Sequence, residues 1–206
     1  MNKIFQVFIQ YLYPKKKKCL LCGVVDKTSL CSLCASSIKF IHDRRCLKCG
    51  KALLHGYEEN ICPDCKETSY IFDSVYSCFD YISGGRELIH KLKYDGKEEG
   101  GQVLARYMGQ LILEEGLKSD IIVPVPIHNK KIVSRGFNQA YIIGMHLSKL
   151  IKIPLWDCLL RTKDTKDQYN LDKVKRRINV IGAFSFNMLY NVSNKTVLLV
   201  DDVYTT

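Results

Sequence analysis

Eight of the ten cysteines in this 206-residue chain stand as four ordered pairs: Cys19-x2-Cys22, Cys31-x2-Cys34, Cys46-x2-Cys49 and Cys62-x2-Cys65, with 8, 11 and 12 residues between successive pairs. Each CxxC is a tight turn that aims two thiolates at one ion. Four pairs supply two four-thiolate tetrahedra, the ligand set of structural zinc. Gly23 and Gly50 directly follow the first and third pairs, where a metal knuckle needs positive φ. The recurrence, CLLCG then CSLC and CLKCG then CPDC, is a small internal repeat. Spacing alone leaves two pairings open: sequential, with Cys19, Cys22, Cys31 and Cys34 on one ion and Cys46, Cys49, Cys62 and Cys65 on the other, or cross-braced. A redox CxxC belongs at a helix start in a βαβ unit, and these pairs sit in a Lys/Gly/Asp-rich stretch without that pattern. An iron–sulfur cluster also takes four cysteines, but zinc is the preferred reading. Closed four-cysteine sites keep no position open for catalysis, so their work is folding and display. Cys78 and Cys158, in YSCFDY and WDCLL, read as small core residues.

A second group of chemistry-bearing residues lies toward the other end. Asp201 and Asp202 close the apolar run TVLLVDDV, and Thr205 and Thr206 follow. His128, Lys130, Lys131 and Arg135 crowd the loop after VPVP, and residues 161–177 carry seven basic and three acidic side chains. Carboxylates accept hydrogen bonds from hydroxyls, and a guanidinium takes phosphate oxygens in pairs. Positioning them requires a sheet. Ser74–Ile82 alternates and reads as a strand, broken by Gly84 and Gly85. Arg86–Lys93 and Glu98–Leu113 read as helices, Asp120–Val125 as a strand buried on both faces, IHNKKIVSRG as a polar loop and Phe137–Ile151 as a helix. Leu155–Leu160, Ala183–Phe186 and Thr196–Val203 complete the strands. Strand, helix, strand, helix spells a parallel sheet with right-handed crossovers, whose ligands bind at the carboxyl ends of strands.

VLLVDDVYTT resembles the phosphoribosyl-diphosphate motif of type I phosphoribosyltransferases. Together with VPVPIHNKKIVSRGFNQA, TKDTKDQYNLDKVKRRINVIGAF and the double zinc ribbon, the chain resembles the ComF family, competence-associated phosphoribosyltransferase-like proteins, from about Phe8 to Thr206. The resemblance implies an α/β fold: a type I phosphoribosyltransferase-like parallel sheet with flanking helices, preceded by a small four-cysteine double zinc ribbon. It divides the chain into an amphipathic helix at 1–14, the ribbon at 15–68 and a phosphoribosyltransferase-like domain at 69–206. It also implies that Asp201 and Asp202 are the catalytic pair gripping the ribose 2- and 3-hydroxyls, and that Thr205 and Thr206 begin the loop for the 5-phosphate. Arg135 and His128 then belong to the diphosphate side. Lys163, Gln168, Arg176 and Arg177 lie in the hood that closes over substrate in this fold class. The implied cofactors are two structural Zn2+ and Mg2+ with 5-phosphoribosyl diphosphate. The implied process is DNA uptake in natural competence, with single-stranded DNA and competence or helicase proteins as partners. The family motif continues with Gly, a small residue and Thr, then a helix and a strand. The domain is therefore expected to be C-terminally incomplete, inactive and a poor binder of its ligand. The alternative is a non-enzymatic single-stranded DNA-binding or interaction protein with a vestigial sugar-phosphate site, its bases stacking on Tyr11, Tyr13, Tyr57 or Tyr70.

Composition bounds these readings. At 47% hydrophobic and 25% charged the chain is neither disordered nor fibrous. No window approaches a transmembrane run. The formal charge of +10 suits a polyanionic partner. Residues 1–68 hold 12 basic and 6 acidic side chains, but two zinc tetrathiolates at −2 each leave that module only about +2. Ile4, Phe5, Phe8, Ile9 and Leu12 share one helical face, read as a helix that docks on the body or a partner, with membrane-surface anchoring as the alternative, and not as a signal peptide, since Gln6 and Gln10 interrupt the run. Without an export signal the cytoplasm is expected, where disulfides are rare. Each ribbon is expected to unfold on its own when a ligand cysteine is lost, leaving the α/β core intact.

Overall fold

Tight turns rather than long elements build the first third of the chain. The computed structural model describes residues 17–41, 44–67, 70–94, 98–165 and 172–204. The expected helix at 1–14, Gln168, Thr205 and Thr206 lie outside them. In the first ribbon β1 (Lys17–Lys18) pairs antiparallel with β2 (Val25–Asp26), and a short helix α1 (Ser32–Ser36) follows Cys31. In the second, an Arg45–Ala52 bridge takes the place of the ladder, and α2 (Pro63–Lys66) starts on a proline whose missing N–H costs a helix nothing there.

The α/β part begins with α3 (Ser83–Tyr94) and α4 (Glu98–Glu114), then β3 (Ile121–Pro124), α5 (Asn129–Arg135) and α6 (Gln139–Ile151). There follow β4 (Leu159–Arg161), α7 (Lys173–Val180), β5 (Phe184–Phe186) and β6 (Val197–Val200). The strands β3 and β6 are parallel, in register from Ile121 opposite Val197 to Pro124 opposite Val200, and β4 pairs antiparallel with β5. The β3 run is buried on both faces, as its unbroken apolar sequence predicts. Ile122 meets Ile143 and Leu147 of α6 in the main core, while Ile121 and Val123 pack with Cys158, Trp156 and Phe186. On β6, Val200 faces the core with Leu198 against it, whereas Val197 and Leu199 are exposed. Helices α4 and α6 lie close because α4 has glycine at the contact: a Cβ on Gly109 would come 2.6 Å from Leu150 Cδ2.

Four expectations are corrected. Ser74–Ile82 is extended but forms no strand. Its hydrogen bonds go to the irregular chain of the ribbons: Val75 N–H to Lys48 O at 2.9 Å, Cys78 O from Ile41 N–H at 3.0 Å and Asp80 N–H to Lys39 O at 3.0 Å. Only the Phe40–Phe79 bridge results. Gly84 and Gly85 do not break the chain there but open α3, where a Cβ on Gly85 would sit 2.6 Å from the Phe79 ring. IHNKKIVSRG is mostly helix α5, capped at its start by the His128 side chain and ended by Gly136 at φ 84°. Within Leu155–Leu160, Leu155 only bridges to Ile122, and the strand starts at Leu159 because the chain leaves β3 to pair with β5.

The two ribbons are anchored differently, which corrects the expectation that both are separable. Cys19, Leu20, Leu30, Cys31 and Ile38 belong to the same buried cluster as Leu88, Ile89 and Leu104. Cys46, Cys49, Cys62 and Cys65 form a cluster of their own, covered by Leu53 and Tyr70.

Candidate metal centres and ligand cavity

The fold settles the pairing as sequential. The sulfurs of Cys19, Cys22, Cys31 and Cys34 lie within 4.8 Å of one another, as do those of Cys46, Cys49, Cys62 and Cys65. The same backbone device builds each first knuckle. The Gly23 N–H donates to Cys19 O and the Gly50 N–H to Cys46 O, both at 2.9 Å, with φ of 76° and 70°. The partner pair then points an N–H at the first sulfur, Cys31 N to Cys19 Sγ at 3.4 Å and Cys62 N to Cys46 Sγ at 3.3 Å. Sulfurs from facing pairs, Cys22 with Cys31 and Cys49 with Cys62, are 3.7 Å apart. That is too long for a disulfide, at about 2.05 Å. It matches the edge of about 3.8 Å that a tetrahedron has when sulfur stands about 2.3 Å from zinc. The donor set is also prepared for ionisation. Burial opposes it at Cys46, but N–H donors from Cys49, Cys62 and Lys48 outweigh burial and bring the thiol down to about 6. Cys19 reaches about 6 by the same balance. Burial and the neighbouring thiols push Cys34 and Cys65 upward, so a divalent ion is what would deprotonate all four. The two four-cysteine sites fit two structural zinc ions.

The acidic pair stands at the carboxyl end of β6, where the Val125 N–H to Val200 O bond at 2.9 Å extends the pairing with β3. Lys93, near the end of α3, places Nζ 2.6 Å from Asp202 Oδ2, with both side chains largely buried. The Asp202 N–H donates to Asp201 Oδ1 at 2.8 Å. Among the described residues Asp201 has no ion-pair partner. Although Asp201 is exposed, desolvation of its carboxyl by the surrounding chain, with the Asp202 carboxylate beside it, pushes it up to about 7. It lines a cavity of about 400 Å³. Its other walls are the 76–81 segment, Ile89, Leu104, Met108 and Ile143 from the helices, Arg176, Tyr204, and Cys49 and Lys51 of the second ribbon. The volume lies within the range of about 300–1,000 Å³ typical of small-ligand sites, and an apolar lining with few convergent polar groups is their usual make-up.

Of the residues singled out in the sequence, Asp201, Asp202 and Arg176 meet at this cavity. His128 lies elsewhere: its Nδ1 accepts the Lys130 N–H at 3.3 Å as the cap of α5, and faces Asp164 Oδ1 at 3.6 Å. Lys130 Nζ reaches the other oxygen of Asp164 at 2.8 Å and holds that carboxyl below its ordinary range. Arg135 stacks over the Tyr94 ring at 5.6 Å and reaches Gln139 Oε1 at 3.5 Å, one residue along from Lys93. Lys163 donates to Ile181 O at 3.0 Å, away from the acids. Sequence reasoning missed Lys93, Lys51 and Tyr204. Lys93 carried one usable signal, a lysine in the last turn of a helix in a fold whose ligands gather at that sheet edge.

A double zinc ribbon joined to an α/β domain with a parallel sheet, and an acidic pair at the end of a strand, defines the class of protein. Residues 8–66 match the family described as a double zinc ribbon domain. The chain is 30% identical over 190 residues to Competence protein F of Haemophilus influenzae, covering 88% of this chain and 81% of that protein. It is 28% identical over 198 residues to DNA utilization protein YhgH of Escherichia coli strain K12, covering 91% and 85%. Competence protein ComFC of Streptococcus pneumoniae is 24% identical over 205 residues, covering 92% and 88%. The chain belongs to the ComF family. Among the described residues no helix is long and apolar enough to cross a membrane.

Proposed function

We propose that this protein binds 5-phosphoribosyl diphosphate at the carboxyl ends of β3 and β6 and works in DNA uptake, a reading supported by relatives named as competence and DNA utilization proteins. The observation that carries the ligand reading is the acidic pair. Asp201 and Asp202 leave the end of the parallel strand β6 side by side, Asp202 charge-compensated by Lys93 and Asp201 lining the cavity. Two carboxylates so placed can each accept a hydrogen bond from one hydroxyl of a vicinal diol, which is what a ribose offers. Their charge would also stabilise a sugar carbon that turns cationic as diphosphate leaves. A Mg2+ bound with the ligand would supply positive charge at the diphosphate, and Asp202 and Asp201 are the carboxylates at this end of the cavity that would help hold it. Arg176 is a cation that the segment before β5 brings to the cavity.

Calorimetric titration with 5-phosphoribosyl diphosphate and Mg2+ tests this. Binding that falls at least tenfold in a D201A/D202A variant, with the fold intact, supports it; equal binding by that variant, or none by the parent chain, overturns it. Single-stranded DNA titrated in parallel separates the alternative. Affinity that drops steeply between low and physiological salt and ignores both aspartates would mark electrostatic DNA handling with an idle sugar-phosphate site.

A further inference from the structure

The second zinc ribbon does more than fold itself. Cys49 and Lys51 line the same cavity as Asp201 and Asp202, so the ribbon forms a wall of the site. The linker that leads into the neighbouring wall is stitched to this ribbon over residues 72–75, whereas in the wall itself Cys78 and Asp80 bond to Ile41 and Lys39 and Phe79 packs against Tyr107 of α4. Val75 N–H donates to Lys48 O at 2.9 Å, and the Lys48 ammonium binds the carbonyls of Phe72 and Asp73. The turn of Gly50 also lies so close under Val75 that a Cβ there would be 2.5 Å from its carbonyl oxygen. A chain of rings completes the connection. Tyr70 packs on the cysteine cluster, stacks on Phe72 at 4.8 Å, and Phe72 meets Tyr204 edge-on at 6.5 Å, two residues beyond Asp202. Yet the ribbon's buried centre is separate from the main core. Among the described residues its buried cluster is four cysteines with Leu53 and Tyr70, too little apolar surface to stand without its ion.

We propose that the second zinc ribbon is the separately folded wall of the ligand cavity, that zinc at Cys46, Cys49, Cys62 and Cys65 is required for that cavity to exist, and that Lys51 is the cation this wall presents to an anionic ligand. Lys51 suits the role. Its side chain is more than half exposed, and its ion pair among the described residues, with Asp64 at 3.8 Å, is a loose contact that an anion can displace. The anion is the sugar diphosphate proposed above, so the affinity part of the proposal rests on that reading, and the structural part does not.

The test uses the full chain with C65S and K51A variants, in two measurements. Hydrogen exchange is read first, without ligand. C65S should bind one zinc, lose protection across 46–66, 70–76 and the amides near Tyr204, and keep it at Asp80 and in α3, α4 and α6. Unchanged protection of 70–76 in a one-zinc C65S protein overturns the proposal whatever the ligand is. Binding of 5-phosphoribosyl diphosphate with Mg2+ is read second. C65S should lose it by tenfold or more, while K51A keeps two zincs and full protection but binds about three- to tenfold more weakly. Parent-like affinity in K51A overturns the assignment of Lys51. If the parent chain does not bind, the sugar-phosphate reading fails, and hydrogen exchange alone decides whether the ribbon is the wall.

Discussion

Replacing the two knuckle glycines by alanine should have unequal effects, and the inequality can be worked out from the structure. Gly23 and Gly50 hold matching positions, with φ of 76° and 70°. An alanine in that left-handed region costs roughly 1–2 kcal/mol. At Gly23 nothing lies within 4 Å of the added methyl, so this is the whole cost. At Gly50 the methyl meets Val75 O at 2.5 Å and Ser77 N at 3.1 Å, both backbone atoms that can give way only if the linker moves. Overpacking of that kind costs a further 1–3 kcal/mol or so. Zinc binding at such sites is folding energy. At about 1.4 kcal/mol per tenfold, G23A should weaken zinc roughly 5- to 30-fold at the first site, and G50A roughly 30- to several-thousand-fold at the second. Chelator competition on zinc-loaded protein measures both, with hydrogen exchange showing which ribbon has opened. Equal losses, or a larger one for G23A, would refute the claim that the linker is pressed against the second knuckle.

Other outcomes follow from the same contacts. Metal-replete protein should carry two zinc ions by elemental analysis; C31S, whose cysteine lies in the main core, should lower the principal unfolding transition, whereas C65S should leave that transition near its parent position. K93M should strand the largely buried Asp202 carboxylate. Breaking a fully buried pair costs about 3–5 kcal/mol, so a loss of about 2 kcal/mol in denaturant unfolding is expected for this partly exposed one, with K93R recovering most of it. The Asp201 carboxyl is raised from an ordinary 3.8 to about 7 in the folded chain. Its contribution to stability is therefore full below about pH 4 and is lost as pH rises through about 7. The thermal midpoint of D201N relative to the parent should accordingly rise across that window; a constant difference would show that Asp201 is ionised throughout.

How legible the molecule was depends on the range of the interactions involved. The eight metal ligands were readable because a CxxC is a local device, carrying its turn and its donors within four residues. The strands β3 and β6 were readable from their unbroken apolar runs, IIV before PVP and VLLV before the aspartates, although only β3 is buried on both faces. The 74–82 segment misled because its alternation was real but its partners were not a sheet. Tyr76 lies under the Arg45 guanidinium, and Phe79 packs edge-on with Phe40 and Tyr107, a seam between ribbon and helices that alternates as a strand does. His128 was read as a loop histidine because a side-chain nitrogen can cap a helix as an oxygen does, and only the following turn reveals it. The pairing of the four CxxC units and the Lys93–Asp202 contact were beyond reach, since both join segments that nothing in their own composition brings together.

The contrast between the ribbons explains why a chain with an ample core carries two metal sites. The first ribbon lies against α3 and α4, and there its zinc adds to burial that already exists. The second has almost no apolar interior, and polar staples serve around it. The Arg44 guanidinium binds the carbonyls of Tyr57 and Glu58 at 2.7 and 2.6 Å and Asn60 Oδ1 at 3.0 Å, and the Lys66 ammonium pairs with Glu59. These bonds close the 50–61 loop but are exposed, and exposed polar contacts contribute little net stability. What holds the segment is the ion, and what the segment holds is the linker over the cavity. A metal site tied to a wall, rather than to the main core, links ligand binding to zinc occupancy. The same ion tied only to the first ribbon would have linked zinc to the stability of the whole chain and left the cavity unaffected.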